Sequence, residues 1–147
     1  MHRLIWMENG KATIDIKKPA MEIKTGTLAF IGDAVYELFV RKMLVEAGEN
    51  DPDKLHIEAV KYVRAESQAY AIKRLMDGFL SEDEVELVKK ARNHKMPNRS
   101  RSAGMVDYKL ATGLEALVGE LYMNGKEDRL SAIVEEAIRV VKDKNKA

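Results

Sequence analysis

The segment from Thr27 to about Val45 most constrains the fold, because apolar residues surround the helix that it predicts. On a helical wheel one apolar arc holds Ile31, Val35, Leu38 and Phe39, and the other side holds Phe30, Val40, Met43 and Leu44. A helix that is apolar on nearly all sides is buried on most of them. A chain of 147 residues rarely surrounds one helix, so we expect a second subunit to cover the far side.

Two acids lie in apolar helical segments: Asp33 in this helix and Glu115 in a second one from 108 to 122. Burying a carboxylate is costly unless it is paired or binds a metal, so we expect both acids to be buried and to serve chemistry. Glu37 lies one turn after Asp33 on the same face, where a divalent cation would relieve their repulsion. The alternative, which composition alone slightly favours, is an ordinary salt bridge at a helix edge.

The rest of the chain also predicts helices joined by short links, and therefore an all-α domain. Thr27 is a candidate N-cap, with Gly48 as the stop of that helix. Asp51-Pro52 predicts a second start, and that pattern continues to Met76, with a break near residues 64–67 and a stop at Gly78.

Further start and stop signals divide the second half of the chain. Ser81 and Glu84 form a capping-box pattern, and Asp107 is a candidate N-cap for a helix that ends near Gly125. A last helix is predicted from about Glu127 to Lys142. Its apolar face comprises Leu130, Ile133, Val134, Ala137, Ile138 and Val141.

Residues 1–25 differ from the helical remainder. The weak alternation from Lys11 to Lys17 predicts either a short strand or an extended arm, and Pro19 disfavours a helix there. We therefore expect an N-terminal extension over residues 1–25 and one domain over residues 26–147.

Composition excludes several classes of function. The chain has no cysteine, so it forms neither disulfides nor thiolate metal sites. Its three histidines, His2, His56 and His94, lack metal-ligand spacing, which disfavours zinc chemistry. No apolar run is long enough for a bilayer and no secretory signal is recognisable, so we expect a cytoplasmic protein without a membrane partner.

Both acid-bearing segments resemble motifs of one enzyme family. Leu28-Ala-Phe-Ile-Gly-Asp-Ala-Val-Tyr-Glu37 resembles the signature motif of ribonuclease III enzymes, whose core is Leu-Glu-Phe-Leu-Gly-Asp-Ala. Thr112-Gly-Leu-Glu-Ala-Leu-Val-Gly-Glu-Leu-Tyr122 resembles their second motif, Asp-Val-Phe-Glu-Ala-Leu followed by a Tyr. The resemblance covers about residues 27–142. The chain leaves little room for a double-stranded RNA-binding domain, so we expect the compact subfamily called Mini-ribonuclease III.

The resemblance implies a metal-dependent endoribonuclease that cleaves double-stranded RNA and leaves a 5′-phosphate. Asp33 and Glu115 would be the catalytic and metal-binding residues, with Mg²⁺ as cofactor and Mn²⁺ able to substitute. Two further family acids are absent, because Ala29 and Thr112 occupy their positions. The subfamily is associated with the maturation of large-subunit (23S) ribosomal RNA precursors.

The resemblance also implies the helical ribonuclease III endonuclease fold, working as a homodimer. Phe30 occupies the family's ball-and-socket position, at which the ring enters a pocket of the partner subunit. The alternative is that Phe30 is an ordinary core residue.

We expect RNA to contact a basic stretch between the two motifs. Residues 88–106 carry six positive charges and no acid. Lys89 and Lys90 are equally well explained as a helix end that compensates its dipole. Phosphate contacts set affinity and make it salt-dependent. The candidate RNA-binding residues are Arg92, Lys95, Arg99, Arg101 and Lys109.

Two other functions remain open at this stage. One is a catalytically weak or inactive ribonuclease III-like dimer that only binds RNA, which the missing acids at Ala29 and Thr112 weakly favour. The other is a helical protein-interaction domain unrelated to RNA, which the paired motifs and the basic stretch disfavour.

Overall fold

A computed structural model describes residues 3–6, 12–15, 22–93 and 103–146. Within these ranges the domain is built from six helices, which confirms the all-α prediction. None of the described helices is both long and apolar enough to cross a membrane. The helices are α1 Thr25–Glu46, α2 Pro52–Val63, α3 Ala65–Met76, α4 Glu82–Arg92, α5 Ala103–Met123 and α6 Glu127–Lys146.

The N-terminal extension contains a short antiparallel hairpin. Strand β1, Arg3–Trp6, pairs with β2, Ala12–Asp15, so that Arg3 is opposite Asp15 and Trp6 is opposite Ala12. Of the two alternatives for residues 11–17, the strand is therefore correct.

Most predicted helix boundaries are confirmed. The Asp51 side chain accepts a hydrogen bond from the Asp53 amide at 3.1 Å, as expected of an N-cap. Ser81 and Glu84 form a complete capping box, with bonds of 2.8 and 3.2 Å. The predicted stops Gly48, Gly78 and Gly125 all have positive φ, which glycine adopts without a Cβ penalty.

The prediction of Thr27 as an N-cap is wrong. Helix α1 begins at Thr25, and Lys24 is its N-cap, without a capping side chain. The amides of Thr27 and Leu28 both donate to the Lys24 carbonyl at 3.0 Å, so Thr27 already lies in the first turn. Thr25 is buried, so tertiary packing, rather than a hydroxyl cap, accompanies this earlier start.

The prediction of Asp107 as an N-cap is also wrong, because α5 begins at Ala103. Alanine and methionine have high helix propensity, so Ala103 and Met105 are compatible with this earlier start. The last helix is longer than predicted and ends at Lys146. Two contacts support its extra turn: Asp143 accepts from Arg139 at 2.8 Å, and the Lys144 ammonium lies 4.5 Å from the centre of the Tyr70 ring on α3.

Helix α5 lies at the centre of the domain and packs against α1, α3, α4 and α6. Leu114, Leu117 and Val118 are almost completely buried, and so are Ile133 and Val134 of α6. All six residues of the predicted α6 face are buried, which confirms that stripe.

The predicted break between residues 64 and 67 separates α2 from α3. Arg64 has an extended conformation with ψ of 151°, so the main chain leaves the helix at this residue. Side chains from the first turn of α3 bind carbonyls at the end of α2. The Ser67 hydroxyl donates to the Lys61 carbonyl at 2.6 Å, and Gln68 Nε2 donates to the Val63 carbonyl at 2.9 Å.

Helices α1 and α5 cross with their main chains in contact. A Cβ atom on Gly32 would overlap the carbonyl oxygen of Glu115, and one on Gly119 would overlap that of Leu28. Gly113 makes a similar close approach to α4, where a Cβ would lie 2.9 Å from Cγ1 of Val88. Gly32, Gly113 and Gly119 therefore each allow a close contact between helices. The Gly32–Gly119 crossing sets α1 directly against the turn of α5 that carries Glu115.

We predict that Gly32→Ala destabilises the domain by about 2 kcal/mol or more, because the methyl group must push two main chains apart. Gly26→Ala on the same helix is the matched control, since its Cβ would meet no atom within 4 Å. Helix propensity alone should make that control neutral or slightly stabilising. Chemical denaturation of both variants measures the difference, and equal stabilities would contradict the crossing.

Candidate active site

A cavity of about 310 Å³ opens where α1, the end of α4 and α5 meet. Both predicted catalytic acids line it, Asp33 from α1 and Glu115 from α5. The remaining lining residues are Gly26, Ala29, Phe30, Ala91, Tyr108, Lys109 and Thr112. The close crossing at Gly32 is what brings the two acids together, because these residues adjoin the contact on either helix.

The expectation that both acids are buried is wrong for Asp33. Asp33 is exposed and Glu115 is half-buried. Asp33 faces the cavity from the rim of α1, so solvent reaches it, whereas Glu115 sits deeper between the helices. The site therefore has one hydrated carboxylate and one partly desolvated carboxylate.

The surroundings of Glu115 favour its neutral form. Burial raises the pKa of Glu115 to about 8, and hydrogen bonding to Asp33 together with the charge of Asp33 contributes to the rise. A hydrogen bond from Gln68 acts in the opposite direction. A cation between the two carboxylates would reverse these effects, because an opposite charge favours the ionised form.

Ala29 and Thr112, which occupy the positions of the two absent family acids, line the same cavity. The Thr112 hydroxyl donates to the Tyr108 carbonyl at 2.9 Å, which is a bond within its own helix. Across the described ranges, no cluster of three or more His, Cys, Asp or Glu side chains could hold a metal ion. Two facing carboxylates suit Mg²⁺, which binds one or two carboxylates and retains several waters.

Glu37 has a different environment from Asp33. Its carboxylate pairs with Arg41 at 3.0 Å, with both side chains largely exposed. This is the helix-edge salt bridge that the sequence left open as an alternative, and Glu37 does not line the cavity.

Only part of the predicted RNA-binding set falls within the described residues. Lys109 lines the acid-bearing cavity and also a neighbouring one of about 490 Å³, which Arg92 and Asn93 line as well. Lys95, Arg99 and Arg101 lie outside the described residues. Lys89 and Lys90 had two explanations, and Lys90 forms an ion pair here, with its Nζ atom 3.8 Å from Oε1 of Glu22.

Sequence reasoning did not identify Lys73, which lines this neighbouring cavity from α3. Lys73 lies next to Arg74 on a polar helix face, and no motif distinguishes it from other surface lysines. Only the packing of α3 beside α5 places it near Lys109.

Phe30 is 77% exposed in the single chain, so it is not a core residue. Its ring lines the cavity beside Asp33. Leu38 on the same helix is 64% exposed, although the wheel placed it on an apolar arc. The core side of α1 instead carries Tyr36, Val40 and Leu44.

Comparison with known proteins identifies the family. The sequence profile of the ribonuclease III domain family matches residues 26–126, which is most of the chain. The chain belongs to the ribonuclease III family. It is 39% identical over 127 residues to a Mini-ribonuclease 3 of Thermoanaerobacter sp. (strain X514), covering 86% of this chain and 89% of that protein. It is 43% identical over 114 residues to that of Brevibacillus brevis, covering 78% and 84%.

A crystal structure of a Fusobacterium nucleatum protein shares the fold, with a TM-score of 0.67 and 33% identity. The match covers 80% of this chain and 93% of that one. These similarities confirm the resemblance to Mini-ribonuclease III and make the chain an endoribonuclease of ribonuclease III type.

We predict that the stability of the metal-free protein depends on the protonation of Glu115. Its folded-state pKa of about 8 lies above its ordinary value of 4.5, so the native state binds the extra proton between these values. The contribution of Glu115 to stability therefore falls as the pH rises through that window. In thermal unfolding with chelator, the Tm of Glu115→Gln should rise relative to that of the wild type from pH 5 to pH 8. Parallel stability profiles would contradict the assignment.

Proposed function

We propose that this ribonuclease III-family protein is a metal-dependent endoribonuclease that cleaves double-stranded RNA at the cavity between α1 and α5. The observation that carries the proposal is the convergence of Asp33 and Glu115 on one cavity, achieved by the Gly32–Gly119 crossing. Two acids far apart in the sequence face each other at an energetic cost to Glu115, which a bound cation would offset.

Asp33 and Glu115 would hold Mg²⁺, or Mn²⁺ in its place, through carboxylate oxygens. When bound, the ion supplies an activated water and neutralises charge on the scissile phosphate. Lys109 lines the same cavity and would bind a phosphate of the RNA there. No side-chain nucleophile is required, and the products would carry a 5′-phosphate and a 3′-hydroxyl.

Arg92, Lys95, Arg99, Arg101 and Lys109 are proposed to contact the RNA backbone. Support comes from Lys109 and Arg92, which line adjoining cavities and form no ion pair with an acid in the described part of the chain. The A-form duplex is recognised by its shape, its phosphates and its 2′-hydroxyls. The positions of Lys109 and Arg92 on adjoining cavities suit that mode of binding.

The natural substrate that we propose is the precursor of large-subunit (23S) ribosomal RNA, processed in the cytoplasm. The similarity to proteins named Mini-ribonuclease 3 supports this choice. In this proposal residues 26–147 form the catalytic domain and residues 1–25 form an extension that carries the hairpin.

The catalytic assignment predicts that Asp33→Asn and Glu115→Gln each lower the rate of RNA cleavage by about 10³-fold or more, because each removes a carboxylate that would hold the ion. Cleavage of a structured double-stranded RNA is measured with Mg²⁺ or with chelator. Glu37→Gln is the matched control, since it alters a carboxylate one turn away that pairs with Arg41 instead. A wild type that binds this RNA without cutting it in Mg²⁺ would favour the RNA-binding module.

The RNA-contact assignment predicts a change in salt dependence. Arg99→Ala combined with Arg101→Ala should reduce the slope of log affinity against log salt by about two, and Lys109→Ala by about one. Lys61→Ala is the control, because Lys61 pairs with Glu58 at 2.7 Å on α2. An unchanged slope in the double variant would contradict the assignment of this basic stretch to the RNA interface.

The proposed assembly is a homodimer in which Phe30 enters the partner. The exposed ring of Phe30 and the exposed side chain of Leu38 support a covering surface on α1. We predict that Phe30→Glu shifts the mass in light scattering from dimer to monomer, because a charge cannot enter an apolar pocket without large cost. Phe30→Leu, which stays apolar, should remain dimeric at high concentration. A monomeric wild type would exclude this interface.

A further inference from the structure

Gln68 is a polar side chain buried in the core beside the candidate active site. It is only 2% exposed and comes from α3, which otherwise buries residues such as Ile72 and Leu75. Its Oε1 atom has no hydrogen-bond partner within the described ranges. Because an unpaired buried polar atom costs free energy, helix packing alone does not explain a carboxamide here.

The orientation of the Gln68 carboxamide follows from its contact with the helix break. The atom 2.9 Å from the Val63 carbonyl must be the nitrogen, since a carbonyl oxygen only accepts hydrogen bonds. Val63 is free to accept this bond because the amides of Ser67 and Gln68 both donate to the Arg64 carbonyl, at 3.0 and 3.1 Å. The break at Arg64 thus creates the acceptor that holds Gln68.

The same carboxamide reaches the site acid. Hydrogen bonding from Gln68 lowers the pKa of Glu115 and so favours the ionised carboxylate, although burial and Asp33 outweigh this effect. The short contact of the carboxamide, at 2.9 Å, is the one to Val63. A carboxamide nitrogen has two N–H groups, so it can serve Val63 and Glu115 together. The Tyr36 hydroxyl is also buried without a hydrogen-bond partner in the described part of the chain. Burial raises the pKa of Tyr36 most, and the charges of Glu115 and Tyr62 add to the rise without a hydrogen bond.

We propose that Gln68 is a positioning residue, which is anchored by Val63 at the α2–α3 break and orients the Glu115 carboxylate towards Asp33 for metal binding. This inference rests on the proposed function of the site. A glutamate side chain has several rotatable bonds, and a fixed donor on one face restricts them. Removal of a group that orients a metal-binding carboxylate typically lowers metal affinity or activity by roughly 10–100-fold.

The test compares Gln68→Met with Ser67→Ala. Methionine keeps the length and burial of Gln68 but removes its donors. Ser67→Ala removes two neighbouring bonds at the same break, the one that Ser67 donates to the Lys61 carbonyl and the one that it accepts from Arg64 Nε. We expect Gln68→Met to lower kcat by about 10–100-fold, and Ser67→Ala to keep kcat within about twofold. KM for RNA should stay within about twofold in both, because neither residue lines the cavities. Equal kcat values for the two variants, after correction for the folded fraction, would overturn the proposal.

A second measurement requires neither cleavage nor a stable Gln68 variant. In the ¹⁵N-labelled wild type without RNA, the Gln68 side-chain amide resonance should shift as Mg²⁺ is added, and it should not shift in Glu115→Gln. A Gln68 amide that stays unmoved while the Asp33 amide shifts would overturn the positioning role. If Mg²⁺ moves the Gln68 resonance but no RNA is cut, the proposed function fails and the positioning role survives.

Discussion

The contact between the main chains of α1 and α5 is the constraint on which the rest of the structure depends. Gly32 and Gly119 remove the two side chains that would otherwise hold these helices apart. Because the contact is made by backbone atoms, it fixes the separation of the main chains from which Asp33 and Glu115 project. The buried stripe of α5 then packs against α3, α4 and α6, so one helix serves as both core and active-site wall.

The electrostatics of the site follow from this geometry. Glu115 is half-buried beside a second acid, Asp33, and this burial is the main reason for its raised pKa. With Ala29 and Thr112 in place of further acids, the cavity carries less negative charge than a four-acid site would. Fewer carboxylates mean less mutual repulsion in the metal-free protein, and also fewer ligands for an ion.

Features that depend on local chemistry could be predicted from the sequence. The N-cap at Asp51, the capping box at Ser81 and the positive-φ glycines all act within one turn of chain, so their residue types identify them. The start of α1 could not, because its N-cap Lys24 has no capping side chain and Thr25, its first residue, is buried by tertiary packing. The extra turn of α6 was also missed, since it rests partly on a ring from another helix, that of Tyr70.

The candidate site divides in the same way. Motif register indicated Asp33 and Glu115, but it could not show that Asp33 is exposed, because exposure depends on how two helices cross. Gln68 and Lys73 carried no signal, as each becomes informative only when α3 is placed beside α5. Residues that act through a neighbouring helix are therefore the ones that sequence reasoning omits.

The position of Phe30 links quaternary structure to chemistry. Its ring is exposed, yet it forms part of the wall beside Asp33, three residues along the same helix. Any surface that covers the ring also excludes solvent from that wall and lowers the local dielectric, which strengthens every charge interaction inside. Association and substrate turnover would then be thermodynamically linked, so specific activity would rise with protein concentration until the ring is fully covered.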